Sequence, residues 1–237
     1  MRRKLGIILM IAILTGVVIG SQRLGEYLYE QTDVENEIAT AGDTAEMVVV
    51  VDSGHGGSDP GKVGINGAIE KDVNLKIAIK LKSLLEEQGI KVIMTREDEN
   101  GLADSKVEDL KKRVSIINQE KPLLAVSIHQ NSYSDPAVKG PQVFFYEDSE
   151  KGKRLALVIQ EKMNQQLEIQ RPRAAKGNRT YYLLKRSEGV INIVECGFLT
   201  NPDEAGLLQK DDYQQKVALA IADGIDEYLA SEKNEKN

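Results

Sequence analysis

Three short apolar runs, residues 47–51, 123–128 and 191–194, constrain this chain more than any other feature. Each is too short for a core helix, and apart from Ser127 and Asn192 each is apolar throughout, more so than a strand with one wet face. Each therefore reads as a strand buried on both sides. Helical spacing fills the intervals between them. Val73, Ile77, Leu81, Leu84 and Leu85 share one face across residues 72–87, and Gly89 stops that helix. Leu110, Val114 and Ile117 repeat the pattern across 107–118, as do Leu155, Val158, Ile159, Met163 and Leu167 across 153–167. Tyr213, Val217, Ala220, Ile221, Ile225 and Tyr228 form the stripe of a last helix. Residues 91–95, 142–146 and 180–184 read as further short strands. About six strands alternating with helices predict an α/β fold. The expectation is a single domain over residues 47–230, with a central mixed, mostly parallel sheet flanked by helices. Residues 231–237 are expected to be a charged, frayed tail.

What precedes the domain differs in kind. Arg2, Arg3 and Lys4 stand before an apolar run that ends at Gly20, the pattern of a signal peptide or signal anchor. Basic residues stay inside, so the rest of the chain is expected outside the cytoplasmic membrane, secreted or anchored. Membrane contact is expected through this segment alone. Residues 21–46 hold seven acidic side chains against Arg23 and no apolar period, which predicts an extended acidic linker. The chain's net charge of −6 argues against nucleic acid as a partner. A single cysteine excludes an internal disulfide and any zinc site made of several thiolates.

The chemistry gathers where the apolar runs end. There are two histidines, and both follow such runs: His55 in Asp52-Ser53-Gly54-His55-Gly56-Gly57, and His129 in Ser127-Ile128-His129-Gln130-Asn131. Sites in open α/β sheets collect at the carboxyl ends of strands, so two imidazoles delivered there can meet. Glu70 opens the first helix, a position where any acid is favoured. Glu195 ends the last apolar run, where a carboxylate needs a partner. Two His and one Glu make a tripod for Zn²⁺ with an open fourth position, and a second Glu outside it can move a proton. Gly56 to Lys62 has most of a phosphate loop, but Val63 cannot bind magnesium and Pro60 lacks a donor.

Four stretches in order carry a resemblance. They are Asp52-Ser53-Gly54-His55-Gly56-Gly57-Ser58-Asp59-Pro60-Gly61 with Glu70-Lys71-Asp72-Val73-Asn74-Leu75, then Thr95-Arg96, then Ser127-Ile128-His129-Gln130-Asn131, then Val194-Glu195-Cys196-Gly197-Phe198-Leu199-Thr200-Asn201. Together they resemble the zinc-dependent N-acetylmuramoyl-L-alanine amidases, over about residues 47 to 230. The resemblance implies a zinc cofactor held by His55, Glu70 and His129, with Glu195 as catalytic acid/base. It implies hydrolysis of the amide between muramic acid and L-alanine in peptidoglycan. This sequence has Gln130 and Cys196 where Ala and Val are commoner. A short chain with an N-terminal anchor and no cell-wall repeat is similar to the germination-specific, spore-cortex members. Those act with a muramic acid deacetylase to form muramic-δ-lactam, and an activating protein partner is a further expectation. The alternatives are a vegetative cell-wall autolysin of the same fold and a cysteine hydrolase using Cys196 and His129. Arg96 and Asn131, and Arg171, Arg173 and Arg179 in a basic strip suited to acidic peptide stems, are the substrate-binding candidates. Asn201-Pro202-Asp203-Glu204 reads as a helix start, with Asn201 as cap, Pro202 in the first turn and Glu204 closing a capping box.

Overall fold

The computed structural model describes residues 47–234. The expected leader and acidic linker lie outside the described residues. In chain order the elements are β1 (Val48–Ser53), α1 (Glu70–Glu87), β2 (Lys91–Met94), α2 (Lys106–Glu120), β3 (Leu124–Asn131), β4 (Gln142–Tyr146), α3 (Glu150–Gln166), β5 (Lys176–Asn178), α4 (Tyr182–Arg186), β6 (Ile191–Phe198), α5 (Pro202–Leu208) and α6 (Asp211–Asn234). The strands form one six-stranded sheet in the order β2-β1-β3-β6-β4-β5. All neighbours are parallel except β4 and β6, which are antiparallel. The mixed, mostly parallel sheet expected from the alternation is present.

Burial on both faces explains the apolar runs. Val49, Val51, Val126, Ile128 and Val194 point to one side, against Ile77 and Leu81 of α1, Leu155 and Ile159 of α3, and Val217 and Ile221 of α6. Val50, Ala125, Ile191 and Ile193 point to the other, against Val114 and Ile117 of α2 and Leu183 and Leu184 of α4. Successive strand residues face opposite sides, so a strand covered twice is apolar at most positions, and the polar residues within it, Asp52, Ser127 and Asn192, are buried and hydrogen-bonded. Ser105 and Ser149 cap α2 and α3 by accepting from Glu108 N and Gly152 N.

Several segments depart from the expectation. Residues 180–184 are not a strand. The Asn178 side-chain oxygen accepts from the backbone N–H of Thr180 at 2.7 Å and of Tyr181 at 2.8 Å, which ends β5 and launches α4. The pair Leu183-Leu184 is buried equally well by a helix, so apolar spacing over so few residues could not decide. The strands β3 and β6 run further than the apolar residues do, because their parallel pairing continues to Asn131↔Phe198 through an irregularity after His129. The last helix continues to Asn234 where a frayed tail was expected from 231, since buried Tyr228 and Leu229 anchor its final turns. At α5, Asn201 does cap the helix by accepting from Asp203 N and Glu204 N. The capping box does not form. Glu204 instead accepts from Phe198 N and Gly140 N at 2.8 Å each, so it ties the end of β6 to the loop before β4.

Strand order places the site. The chain leaves β1 for β2 on one side, then returns to place β3 on the other. That reversal opens a crevice at the carboxyl ends of β1 and β3.

Candidate metal centre and active site

Four elements deliver side chains to the crevice. His55 follows β1, Glu70 is the first residue of α1, His129 lies near the end of β3, and Glu195 lies on β6 in register with His129. One ligand atom each from His55, Glu70 and His129 can be chosen so that all lie within 4.8 Å of one another. A single carboxylate oxygen, Glu70 Oε1, stands 3.2 Å from His55 Nε2 and 3.1 Å from His129 Nδ1. The two rings meet edge to face, with centroids 4.9 Å apart.

The surroundings hold these groups in place. Asp59 Oδ2 accepts from His55 Nδ1 at 2.9 Å, which orients the ring and leaves Nε2 turned inward. Glu70 Oε2 accepts from Lys62 N at 2.7 Å, and Oε1 accepts from Gln130 N at 3.1 Å. Burial alone would raise the Glu70 carboxyl, but the bonds and charges of the two imidazoles outweigh it and hold the group well below the usual carboxylate range. Glu195 goes the other way. Burial pushes it up to about 7; the histidine charges oppose this and the Glu70 charge adds to it. Its Oε2 is buried and has no hydrogen-bond partner among the described residues. A carboxyl that exchanges protons near neutrality, beside a cluster of groups able to hold a metal, can serve as a general acid/base.

Glycine makes the cradle. A methyl at Gly54 would run into the His129 ring, with even its Cδ2 only 2.8 Å away. A Cβ at Gly61 would lie 2.6 Å from Glu70 Oε2 and 2.8 Å from His55 Cδ2. The compact donor set, two imidazoles and one carboxylate in a hollow that a single Cβ would fill, fits zinc. His55 itself has φ of 62°, a left-handed conformation that costs a non-glycine residue on the order of 1–3 kcal/mol.

The substrate-binding candidates separate. Asn131 ends β3 at the same edge as His129. Arg96 is buried and donates to the carbonyls of Ser53, Gly54, Lys71 and Asp98, so its donors are spent on backbone and not on substrate. Arg171 and Arg173 line a separate groove with Leu167, Ile169, Glu204 and Tyr213. Arg173 also donates to Gln142 Oε1, and Gln142 is the β4 residue in register with Glu195, so within the expected basic strip Arg173 has a link toward the site. Arg179 is exposed and pairs with Glu147 and Asp148.

Several site residues escaped the sequence reading. Asp59 and Gln130 touch the cluster as described. Tyr181 and Tyr182 wall a cavity of about 340 Å³ that also exposes His55 and His129. Only the proximity of Tyr181 to an Asx turn could have signalled that, because a Tyr pair before Leu-Leu looks like strand.

The cysteine hydrolase alternative fails on geometry. Cys196 is fully buried in the core on the face shared with α1, α3 and α6, while Glu195 points to the other. Burial pushes its thiol far up, so no thiolate forms near neutrality. Iodoacetamide is therefore expected to leave the protein's hydrolytic activity unchanged. Stoichiometric alkylation at Cys196 with matching loss of rate would contradict this.

Comparison with known proteins agrees with the geometry. A family profile described as N-acetylmuramoyl-L-alanine amidase matches residues 49–227. The germination-specific N-acetylmuramoyl-L-alanine amidase of Bacillus subtilis (strain 168) is 39% identical over 190 residues, spanning 77% of this chain and 79% of that protein. The fold is similar to that of the CwlD amidase from Clostridioides difficile, solved in complex with the GerS lipoprotein, with a TM-score of 0.75, 36% identity, and coverage of 78% of this chain and 99% of that one. It is also similar to the amidase AmiC2 of Nostoc punctiforme, with a TM-score of 0.72, 33% identity, and coverage of 78% and 98%.

Proposed function

The chain belongs to the N-acetylmuramoyl-L-alanine amidase family and hydrolyses the amide between muramic acid and L-alanine in peptidoglycan, and we propose that it does so with zinc held by His55, Glu70 and His129 and with Glu195 as proton shuttle. The observation that carries this reading is the joint placement of those three side chains, with ligand atoms within 4.8 Å, beside an unpartnered buried carboxylate oxygen. Zinc bound there supplies Lewis acidity to the lactyl carbonyl and acidity to a water.

The chain's own residues do the rest. Asp59 fixes the His55 ring, and Lys62 N and Gln130 N fix the Glu70 carboxylate. Glu195 takes one proton from water as its oxygen adds to the carbonyl carbon. It returns that proton to the alanine nitrogen as the C–N bond breaks. A carboxyl held at about 7 gives up and takes protons with little penalty in either direction. Tyr181, Tyr182 and Leu183 wall the cavity on which His55 and His129 open, and supply an apolar surface beside the cluster.

The biological setting is part of the proposal. Likeness to a germination-specific amidase and to CwlD supports action on spore cortex, upstream of a muramic acid deacetylase in muramic-δ-lactam formation. The CwlD–GerS complex supports a protein partner, and that this partner activates the enzyme is part of the proposal. The basic and apolar N-terminus supports export, with peptidoglycan met outside the cytoplasmic membrane. Muropeptide mass spectrometry of cortex and of vegetative wall, with and without active enzyme, tests the setting. Loss of muramic-δ-lactam from cortex is expected; loss confined to vegetative peptide-free glycan would instead make the protein an autolysin.

A further inference from the structure

The end of β1 is held by side chains where the sheet stops holding it. Gly54 N still donates to Ile128 O, but beyond that point the next carbonyls leave the ladder. Two buried arginines take them over. Arg96, which follows β2, donates through Nε to Ser53 O at 2.9 Å and through Nη2 to Gly54 O at 3.0 Å. Arg113, in the middle of α2, donates through Nη1 to Ser53 O at 2.6 Å and through Nη2 to His55 O at 2.5 Å. Three successive carbonyls thus end on two guanidinium forks.

Arg113 does more than cover backbone. Its Nη1 also bonds Asp52 Oδ1 at 2.7 Å, and its Nε bonds Asp109 Oδ1 at 2.6 Å. Asp52 is in turn fixed by Thr95 Oγ1 and Ser127 Oγ, so the fork cannot tilt without breaking several bonds. Arg113 is only 2% exposed, and its counter-charges are on its own side of the sheet. A buried ion pair of this kind is weak evidence for stability, since apolar replacements often serve as well. Its placement needs another reason. The residue whose carbonyl it grips, His55, has a φ of 62° that an L side chain rarely adopts.

We propose that Arg113 is a positioning residue for the metal centre: its guanidinium grips the His55 carbonyl, holds that residue in the left-handed conformation, and so turns its imidazole toward Glu70 and His129. This rests on the zinc reading above. Lysine is not an equivalent, because a single ammonium cannot span Asp52, Ser53 O and His55 O at once. A released loop lets the His55 backbone relax to φ below zero, which swings the ring out of the cluster while the fold around it survives.

The test is zinc affinity of the full chain, measured by competition with a chromophoric chelator, for wild type and Arg113→Lys, with circular dichroism and a thermal melt on each. The clamp predicts a zinc affinity lower by about 10–100-fold in a folded Arg113→Lys protein. A merely structural role would lower the melting temperature and leave the affinity of the folded protein alone. Wild-type zinc binding with an affinity in folded Arg113→Lys within about threefold of it overturns the clamp but not the metal site. A wild type that binds no zinc overturns the metal reading itself. Should Arg113→Lys fail to fold, Asp109→Asn keeps the guanidinium and loosens its Nε anchor, together with the bond that Asp109 Oδ2 accepts from Leu102 N. It is then expected to weaken zinc binding by several-fold, and unchanged affinity in that variant would overturn the proposal.

Discussion

Glu195→Gln is expected to fold, to bind zinc as the wild type does, and to lose about 10²–10⁴-fold in kcat. The amide has the size and shape of the carboxyl it replaces, so packing is kept. What it loses is the ability to accept a proton. Glu195 is not in the cluster of groups whose donor atoms converge, so metal affinity is not its burden. It lies opposite His129 in the β3–β6 register, close enough to serve the same bound substrate. Its unpaired Oε2 is an acceptor with nothing to accept from in the resting protein, as a shuttle must be. The check is a steady-state assay for new L-alanine amino termini, together with zinc analysis of the same sample. A folded, zinc-loaded Gln variant turning over at the wild-type rate would remove Glu195 from the reaction.

The second large effect comes from a residue without a side chain. Gly54→Ala is expected to weaken zinc binding by about 100-fold or more, comparable to the loss of a supporting contact or greater. Gly54 needs no positive φ, so alanine brings no backbone strain there. The added methyl would instead meet the imidazole of His129. That ring is wedged between the methyl and the Glu70 carboxylate and must leave the cluster. The backbone bond from Gly54 N to Ile128 O and the core around β1 are untouched. Overpacking of one site costs about 1–3 kcal/mol, which a domain of this size survives. Chelator competition alongside a thermal melt separates the two quantities. Undiminished zinc affinity in Gly54→Ala would mean that His129 binds no metal.

Sequence and structure agree most closely where burial is complete. The runs at β1, β3 and β6 are apolar because both faces of the sheet are covered, and so the side chains that break the pattern at their ends, His55, His129 and Glu195, stand out. Glu70 was visible only as an acid at a helix start, and its link to the histidines came from a resemblance. The apparatus that supports the site was hidden for a physical reason. Arg113 sits among charged residues on a helix whose other face is wet, and an arginine in such a stretch reads as solvated. Only tertiary packing makes it one of the most buried charges near the site. Arg96 misled for the same reason, since a motif arginine near a site suggests substrate until its partners prove to be carbonyls. At 180–184 the error was local. Two leucines and two tyrosines satisfy strand and helix alike, and one Asn side chain decides.

The most direct test of the account is the metal content of the purified full chain, measured by mass spectrometry beside its release of L-alanine amino termini from peptidoglycan. About one zinc per chain is expected. Activity should fall away on chelation and return when zinc is added back. Full activity in a metal-free sample, or zinc retained undiminished after His129→Ala, would contradict it.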